Sequence, residues 1–260
     1  MIKKGIMKML QTIAFMVLIL LPCHAFGSSW ERLPGAAKDI GIGADNSVWV
    51  IGTNSVHGGY GIYRWEGKNW RRVDGGAVRI DVGPRGNPWV VNSYDNIYRR
   101  VGDRWEQVPG AAKDIGIGAD NSVWVIGTNS VHGGYGIYRW EGKKWRRIDG
   151  GAVRIDVDPR GNPWVVNSYD HIYRRVGDKW EQVFGAAKDI GIGADNSVWV
   201  IGTNSVHGGY GIYRWEGKNW RRIDGGAVQI SVDKHGVPWV VNADNYIYRK
   251  KRSFTDPWFK

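Results

Sequence analysis

Three identical segments combine amide, imidazole and phenol side chains with glycines. The first runs from Thr53 to Gly61 and reads T-N-S-V-H-G-G-Y-G, and it recurs at Thr128 to Gly136 and at Thr203 to Gly211. An aromatic face suits the C–H surface of a pyranose, while amide and imidazole groups exchange hydrogen bonds with its hydroxyls. The candidate carbohydrate-binding residues are therefore Asn54, His57, Tyr60, Asn129, His132, Tyr135, Asn204, His207 and Tyr210.

A structural role for this segment stays open beside the binding role. In that interpretation it is a glycine-rich turn whose tyrosine packs on a neighbouring unit and whose asparagine caps a backbone amide.

Further tryptophans follow an Ile-Tyr-Arg triplet and could form an exposed sugar platform or pack inside: Trp65, Trp140 and Trp215. Another six lie between apolar neighbours and are expected to pack: Trp49, Trp89, Trp124, Trp164, Trp199 and Trp239.

The segments belong to a 75-residue unit that repeats along the chain. Residues 36–110 and 111–185 differ at six positions, and residues 186–260 follow the same plan before diverging near their end. Each unit divides into two halves with one skeleton: a short strand, a turn, a Trp-centred strand, a loop, Ile-Tyr-Arg, a glycine turn and a strand that opens with Trp. Repetition at a fixed period is typical of solenoids and propellers.

The skeleton predicts six modules of four strands each. In the first module we expect strands near Lys38–Gly43, Ser47–Gly52, Gly61–Trp65 and Asn69–Asp74, joined by turns rich in Gly, Asn and Asp. These residue types suit the positive φ of tight hairpins. No segment shows a 3.6-residue apolar period over a helical length, so the repeat region is expected to be all-β.

A six-bladed β-propeller of antiparallel blades accounts for this pattern. The second strand of each module is apolar on both faces, as in Val48-Trp49-Val50-Ile51, and so needs a neighbouring sheet on each side. The segment Trp30-Glu31 resembles the start of a fourth strand that has no blade before it, and the last blade lacks its own copy. We expect the N-terminal strand to complete the last blade and close the ring. The blades are predicted at about 36–74, 76–109, 111–149, 151–184, 186–224 and 226–260 plus 29–34.

The chain begins with features of a secretory signal peptide over residues 1–27. Lysines precede an apolar run from Leu10 to Pro22, and Ala25 and Gly27 provide small residues before a cut at Ser28. The apolar run is shorter than the roughly 20 residues that a membrane span needs. Cleavage would remove the single cysteine, Cys23, and three lysines, which lowers the formal net charge from +11 to +8. We expect a secreted or periplasmic monomer of residues 28–260, without disulfides and not membrane-spanning.

The combination of D-I-G-I-G-A-D-N-S-V-W-V-I-G-T with I-Y-R-W and W-R-R-V-D-G resembles tectonin-type β-propeller repeats. These repeats are found in slime-mould tectonins, fish egg lectins and a horseshoe-crab lectin. The resemblance extends from residue 30 to about residue 250. It implies a six-bladed propeller and, for many members, recognition of sugars on microbial or egg surfaces. The absence of cysteines from the repeats differs from the fish lectins, and no sugar-contacting residue of the family is carried over.

Enzymatic and cofactor chemistry is poorly represented. Carboxylates recur as Asp39, Asp114, Asp189, Asp81 and Asp156. We expect them to be solvated turn residues or caps of backbone amides rather than a catalytic pair. Near-identical units do not easily build the asymmetric site of a glycosidase. Residues 156–161 resemble a calcium loop only faintly, since Arg160 stands where an oxygen ligand belongs. We expect no enzyme and no cofactor, with Ca²⁺ as the alternative left open.

The repeated Tyr-Arg pairs could bind single-stranded nucleic acid, with bases stacked on the tyrosines and phosphates bound by the arginines. The pairs are, however, spread evenly around a ring, and the chain has an export signal. Both observations favour solvated strands on which arginine stems cover aromatic rings. We therefore predict a lectin with repeated weak sites for glycans or lipopolysaccharide on cell surfaces and no nucleic-acid partner. A protein–protein interaction scaffold is the alternative.

Overall fold

The computed structural model describes residues 29–253, which form 24 β-strands. The predicted signal peptide and Cys23 lie outside the described residues. Within residues 29–253 no helix is long and apolar enough to cross a membrane. The strands form six antiparallel four-stranded sheets, as expected for a six-bladed propeller.

Five sheets, blades 1 to 5, each consist of four consecutive strands. Blade 1 contains β2 (Asp39–Ile42), β3 (Val48–Val56), β4 (Gly59–Trp65) and β5 (Trp70–Ala77). Blade 2 contains β6 (Arg79–Val82), β7 (Pro88–Val91), β8 (Asn96–Val101) and β9 (Arg104–Ala111). Blade 3 contains β10 (Asp114–Ile117), β11 (Val123–Val131), β12 (Gly134–Trp140) and β13 (Trp145–Ala152). Blade 4 contains β14 (Arg154–Val157), β15 (Pro163–Val166), β16 (His171–Val176) and β17 (Lys179–Ala186). Blade 5 contains β18 (Asp189–Ile192), β19 (Val198–Val206), β20 (Gly209–Trp215) and β21 (Trp220–Ala227).

Blade 6 takes its fourth strand from the start of the repeat region. It contains β22 (Gln229–Val232), β23 (Pro238–Val241), β24 (Tyr246–Lys250) and β1 (Trp30–Ala36). β1 pairs antiparallel with β24, and Trp30 lies opposite Lys250. Glu31 accepts hydrogen bonds from Arg249 at 2.6 and 3.2 Å. The predicted closure of the ring by the N-terminal strand is confirmed.

The largest difference from the sequence-based expectation concerns the predicted long loop, while β5 also continues to Ala77, beyond its predicted end near Asp74. β3 continues to Val56 and β4 begins at Gly59, so most of the predicted long loop is a β-hairpin that projects beyond the sheet. Ser55 pairs with Tyr60 beyond an irregularity that follows Ile51. Gly58 and Gly59 have φ values of 85° and 131°, which allows a tight turn at this point. The polar residues before the turn therefore extend the strand.

The hydrophobic core is divided into six layers, one between each pair of neighbouring blades. In β3, Trp49 and Ile51 pack in the layer towards blade 2, whereas Val48 and Val50 pack in the layer towards blade 6. All four are buried. The strand therefore has a sheet on each side, as its continuous apolar sequence predicted.

A tryptophan of every fourth strand connects neighbouring blades. Its indole N–H donates to a main-chain carbonyl of the preceding blade's fourth strand, a contact that we call the indole bridge. The six bridges are Trp30 to Asp224 at 3.1 Å, Trp70 to Pro34 at 2.8 Å, Trp105 to Asp74 at 2.9 Å, Trp145 to Pro109 at 2.6 Å, Trp180 to Asp149 at 2.9 Å and Trp220 to Phe184 at 2.6 Å. Five of these tryptophans are half-buried, and only Trp30 is fully buried, at 4% exposure.

Charged residues of the first strands surround the central channel. Arg79 lies 3.6 Å from Asp39 and 3.5 Å from Asp114, and Arg154 lies 3.5 Å from Asp189. The three aspartates also accept main-chain N–H groups of the following first strand: Ile80 at 2.8 Å, Ile155 at 2.9 Å and Ile230 at 2.9 Å. They cap backbone amides as expected, but they are buried strand residues rather than solvated turn residues.

Asp81 and Asp156 line the same channel. Each carboxylate accepts one N–H from its own strand and one from the next blade, the latter being Ile117 at 2.5 Å and Ile192 at 2.6 Å. Burial is the main cause that raises the pKa of both groups, and the negative charge of Asp156 adds to the effect on the pKa of Asp81. Burial likewise raises the pKa of Asp39 to about 6 and that of Asp189 to about 7, against the opposing influence of Arg79 and Arg154.

The closing strand generates a prediction about stability. Replacing the buried Trp30 with alanine is expected to lower the free energy of unfolding by about 3–5 kcal/mol, because a large cavity opens and the indole bridge is lost. The exposed Glu31–Arg249 pair contributes about 0–1 kcal/mol, so Glu31→Gln is the matched mild change. Urea denaturation of both variants measures the difference. Equal losses would contradict a closure held mainly by Trp30.

The channel carboxyl groups generate a prediction about pH. Their folded-state pKa values are raised, so the folded chain holds protons that the unfolded chain releases near pH 4. This stabilisation is present in acid and is lost as the pH rises through the folded-state values. The pKa values of Asp39 and Asp189 alone correspond to an expected fall in the free energy of unfolding of about 4 kcal/mol between about pH 5 and pH 8. Urea denaturation at the two pH values checks the change.

A pair of variants assigns that pH dependence to the channel. Asp81→Asn combined with Asp156→Asn removes two of the titrating groups, so the fall in stability between the two pH values should be smaller than in the parent chain. Asp103→Asn alters a fully exposed carboxylate and should keep the full fall. A double variant with an unchanged pH profile would exclude Asp81 and Asp156 as the source.

Candidate functional site

Two equivalent pockets open between odd and even blades. The first lies between blades 1 and 2, and the second lies between blades 3 and 4. Each has a volume of about 190 Å³.

The floor of the first pocket is aromatic and aliphatic. Trp105 and Tyr98 come from the two outer strands of blade 2, and Ile62 and Val90 complete the apolar surface. The indole bridge from Trp105 to Asp74 holds the ring at 2.9 Å from the neighbouring blade. The aromatic floor is therefore fixed by the same contact that joins the blades.

Glycines keep the wall of this pocket open. Gly75 has a φ of 90°, and a Cβ at this position would lie 3.2 Å from the Trp105 indole nitrogen. A Cβ on Gly76 would lie only 2.3 Å from the main-chain oxygen of His57. A larger residue at either position would displace the hairpin tip or the indole, so the pocket depends on this glycine pair.

Polar groups also line the pocket or lie at its rim, and one of them, Asn92, is buried. His57 is exposed at the tip of the β3–β4 hairpin, and its ring centroid lies 5.7 Å from that of Tyr94, which is 60% exposed. The Asn92 side-chain oxygen accepts the N–H groups of Tyr94 and Asn96 at 3.0 and 2.9 Å. These bonds fix the carboxamide and leave its NH₂ group as a donor.

The second pocket repeats the first residue by residue. Its floor contains Trp180 and Tyr173, its wall contains Gly150 and Gly151, and its rim contains His132 and Asn167. His132 and Tyr169 have ring centroids 5.5 Å apart. The 1/2 and 3/4 junctions therefore carry equivalent copies of one site.

The corresponding junction between blades 5 and 6 is different. Its aromatic positions are occupied by Trp30 and Tyr248, which are only 4% and 6% exposed. Lys250 lies 5.7 Å from the centre of the Trp30 ring, and Asp244 stands where the other copies have a rim tyrosine. His207 occupies the hairpin tip here without the accessible aromatic floor of the first two junctions.

The residues predicted from sequence are divided among three environments. Of these residues, His57 and His132 line the two pockets. Asn54, Asn129 and Asn204 are exposed on the hairpins and accept the hydroxyls of Tyr63, Tyr138 and Tyr213, each at 2.9 Å. Tyr60, Tyr135 and Tyr210 are partly buried against the interblade core, and the Lys38 amine lies 5.1 Å from the Tyr60 ring centre. The structure does not bring the three residue types together around one space.

The tryptophans that follow Ile-Tyr-Arg lie on the opposite face. Trp65 is half-buried beside Trp70 at 4.8 Å and Trp239 at 6.5 Å, measured between ring centroids. Trp140 and Trp215 have equivalent neighbours. Each therefore belongs to a three-tryptophan cluster with two partly accessible rings and one buried ring.

The pocket contains residues that sequence reasoning did not select. Trp105, Tyr98 and the Gly75–Gly76 pair come from different strands and join only when two blades pack. The signal that could have found them is the pair of adjacent glycines inside a strand, since such glycines often mark a close approach of other groups.

The calcium-like segment uses its oxygen atoms internally. Asp158 accepts the main-chain N–H groups of Arg160 and Asn162 at 2.9 and 2.8 Å, together with the Asn162 side-chain amide. Over residues 29–253, no group of three or more His, Cys, Asp or Glu side chains has a geometry that could hold a metal ion.

Comparison with solved structures reveals the same fold at low sequence identity. "YCF48 bound to D1 peptide" is 18% identical with a TM-score of 0.52, covering 86% of this chain and 83% of that chain. Streptogramin B lyase is 16% identical with a TM-score of 0.54, covering 85% and 96%. A calcium-binding regucalcin from Agrobacterium tumefaciens is 12% identical with a TM-score of 0.56, covering 85% and 93%. A search of curated proteins finds no match.

Comparison with protein families gives a specific result. The family model described as the tectonin domain matches residues 22–100, 76–164, 125–207 and 152–260. These overlapping matches extend over all six blades, and they confirm the resemblance noted in the repeats. The chain belongs to the tectonin domain family.

Proposed function

We propose that this chain is a secreted, multivalent carbohydrate-binding protein that recognises glycans on cell surfaces. The observation that carries the proposal is the pair of identical interblade pockets, each with an aromatic floor and a polar rim. A tectonin propeller suits a lectin or a protein-interaction role. The chemistry of the pockets favours the lectin.

The pocket provides the two kinds of contact that a sugar ring needs. The C–H face of a pyranose would lie on Trp105 and Tyr98, and ring hydroxyls would meet the His57 imidazole and the Asn92 NH₂ group. His57 is exposed at the hairpin tip. A pocket of about 190 Å³ takes one residue of a glycan rather than a long chain.

Duplication of the site compensates for weak binding at each copy. The pockets at the 1/2 and 3/4 junctions open at equivalent positions of one rigid ring, so a dense glycan surface can occupy both. Linked weak sites raise the overall affinity by about 10²- to 10⁴-fold when the geometry allows simultaneous binding. Near-identical repeats satisfy this requirement, because each copy recognises the same group.

Binding without catalysis is part of the proposal. The residues that line the two pockets include no aspartate or glutamate, whereas glycoside hydrolysis normally uses two carboxyl groups around one bond. The predicted export signal would place the chain outside the cytoplasm, where surface glycans and lipopolysaccharide occur.

A protein-interaction scaffold is the second candidate. Phe184 is 86% exposed on an outer strand where the preceding repeat has Pro109. An aromatic side chain with this exposure is a common feature of protein interfaces. One of the similar propellers, YCF48, is described as bound to a peptide. In this interpretation, glycan binding would be absent and the outer face of blade 4 would hold the partner.

The histidines provide the test of the lectin proposal. His57→Ala combined with His132→Ala removes a polar group from both pockets, and each lost hydrogen bond costs about 0.5–1.5 kcal/mol. We expect binding of residues 28–260 to a glycan array to weaken by about tenfold or more, since both sites contribute to avidity.

His207→Ala is the matched control, because it alters the same hairpin tip at the 5/6 junction. It should leave glycan binding close to that of the parent chain. An equal loss in this control would indicate that the glycan binds at the hairpin tips and not in the pockets. If the parent chain bound no glycan, the protein-interaction scaffold would be favoured.

The indole bridge requires a second control. Trp105→Phe combined with Trp180→Phe alters both pocket floors, while Trp145→Phe combined with Trp220→Phe removes the same bridge at junctions of the other type. Thermal denaturation should show similar losses of stability for the two double variants. Only the first should reduce glycan binding, and a similar reduction in the second would show that weakened blade packing, not the floor, is responsible.

A further inference from the structure

A larger groove lies on the opposite face of the ring, between blades 2 and 3. It is formed by turns after the first strands, the end of β8 and the end of β12. Its volume is about 860 Å³, within the usual range of about 300–1,000 Å³ for ligand sites. None of its lining residues belongs to the two pockets described above.

The groove has an aromatic part. Trp140 packs beside Trp145 with ring centroids 4.8 Å apart and meets the edge of Trp89 at 6.2 Å. Trp140 and Trp89 both line the groove. The rings are held in place by each other, so a planar or C–H-rich ligand surface would meet a pre-formed partner.

Positive charge exceeds negative charge along the lining. Arg85, Arg99 and Arg100 are present with a single carboxylate, Asp120. Arg99 and Arg100 form ion pairs with Glu106 and Asp74, which lie outside the lining. Arg85 is exposed, and among residues 29–253 no hydrogen bond or ion pair engages its side chain. Arg85 therefore provides a guanidinium that is ready to bind an anion.

The repeats contain an internal comparison for this charge. The equivalent junction between blades 4 and 5 has the same arginines and tryptophans, with Arg160 in the place of Arg85. In the turn after the first strand of blade 4, the one change of charge relative to blade 2 is Asp158, which stands where blade 2 has Gly83. Asp158 lies two residues from Arg160 and accepts that residue's main-chain N–H at 2.9 Å. An added carboxylate in the same turn lowers the attraction of this junction for an anion.

The junction between blades 6 and 1 differs further. It has Asp233, Lys234 and His235 at the corresponding turn, so it combines a carboxylate with a histidine in place of the arginine. Among the three equivalent junctions, only that between blades 2 and 3 has an arginine without an acidic residue in the same turn.

We propose that the groove between blades 2 and 3 is a separate site for an acidic saccharide. The carboxylate or phosphate substituent would bind Arg85, and the sugar ring would lie against the half-buried Trp140, which packs on the buried Trp89. The glycine at position 83 makes this junction selective for the acidic ligand over the equivalent junction of blades 4 and 5. No residue that lines this groove also lines one of the two pockets on the other face.

The experiment is an NMR titration of the mature chain with methyl glucuronide, methyl glucoside and glucose 6-phosphate, monitored through assigned indole N–H signals. We expect both acidic probes to shift the Trp89 and Trp140 signals, with a weaker response at higher salt. Methyl glucoside, which lacks the charge, should leave these two signals nearly unchanged. Shifts confined to Trp105 and Trp180 with all three probes would overturn the proposal while supporting the pockets.

Two variants test the charge directly. Arg85→Gln should weaken binding of methyl glucuronide at this groove by about tenfold, since it removes a charge-assisted hydrogen bond. Gly83→Asp should weaken it by about threefold or more, and blade 4 shows that this turn accepts Asp at that position. The matched control Arg160→Gln alters the 4/5 junction and should leave the shifts of Trp89 and Trp140 as in the parent chain. Unchanged affinity in both Arg85→Gln and Gly83→Asp would refute the assignment, whatever the outcome at the pockets on the other face.

Discussion

The indole bridge is the constraint on which the other features of this ring depend. At all six junctions, the carbonyl that receives the indole N–H belongs to the residue before a glycine with positive φ: Gly35, Gly75, Gly110, Gly150, Gly185 or Gly225. The left-handed backbone at this glycine accompanies each bridge and favours glycine, since other residues are strained there. A Cβ at Gly35, Gly75, Gly110, Gly150 or Gly185 would lie within 3.2 Å of the bridging indole. Each junction thus combines a tryptophan with a glycine of the preceding blade.

The residues that surround the indole bridge differ between the junctions that follow odd blades and those that follow even blades. After an odd blade, the bridging glycine is followed by a second glycine and the hairpin tip of His57 or His132 stands above it, which leaves a pocket. After an even blade, the bridging tryptophan instead packs beside Trp65, Trp140 or Trp215 on the other face. The pockets and the groove therefore open on opposite sides of the ring.

The sequence was sufficient to predict the ring but not the site. Six modules, the double-sided burial of Val48-Trp49-Val50-Ile51 and the closure by Trp30-Glu31 all follow from patterns within one module or from direct repetition. The pocket joins His57 to Trp105, which are far apart in the chain and meet only through blade packing. Periodicity describes each blade separately, so it could not distinguish an indole at a junction from one inside a sheet. The hairpin at Gly58 and Gly59 was also missed, because its strand residues are polar and were assigned to a loop.

Closure by β1 makes the position of the chain termini arbitrary with respect to the ring. β1 opens with the same Trp-Glu pair as the fourth strands of blades 2 and 4, and it forms the same kind of bridge to its neighbour. The ring is therefore defined by contacts between adjacent blades and not by the order in which the blades are joined. Circular permutants that begin at any of the three equivalent strands would have the same set of blade contacts, and the chain is one linear form of a molecule whose architecture is cyclic.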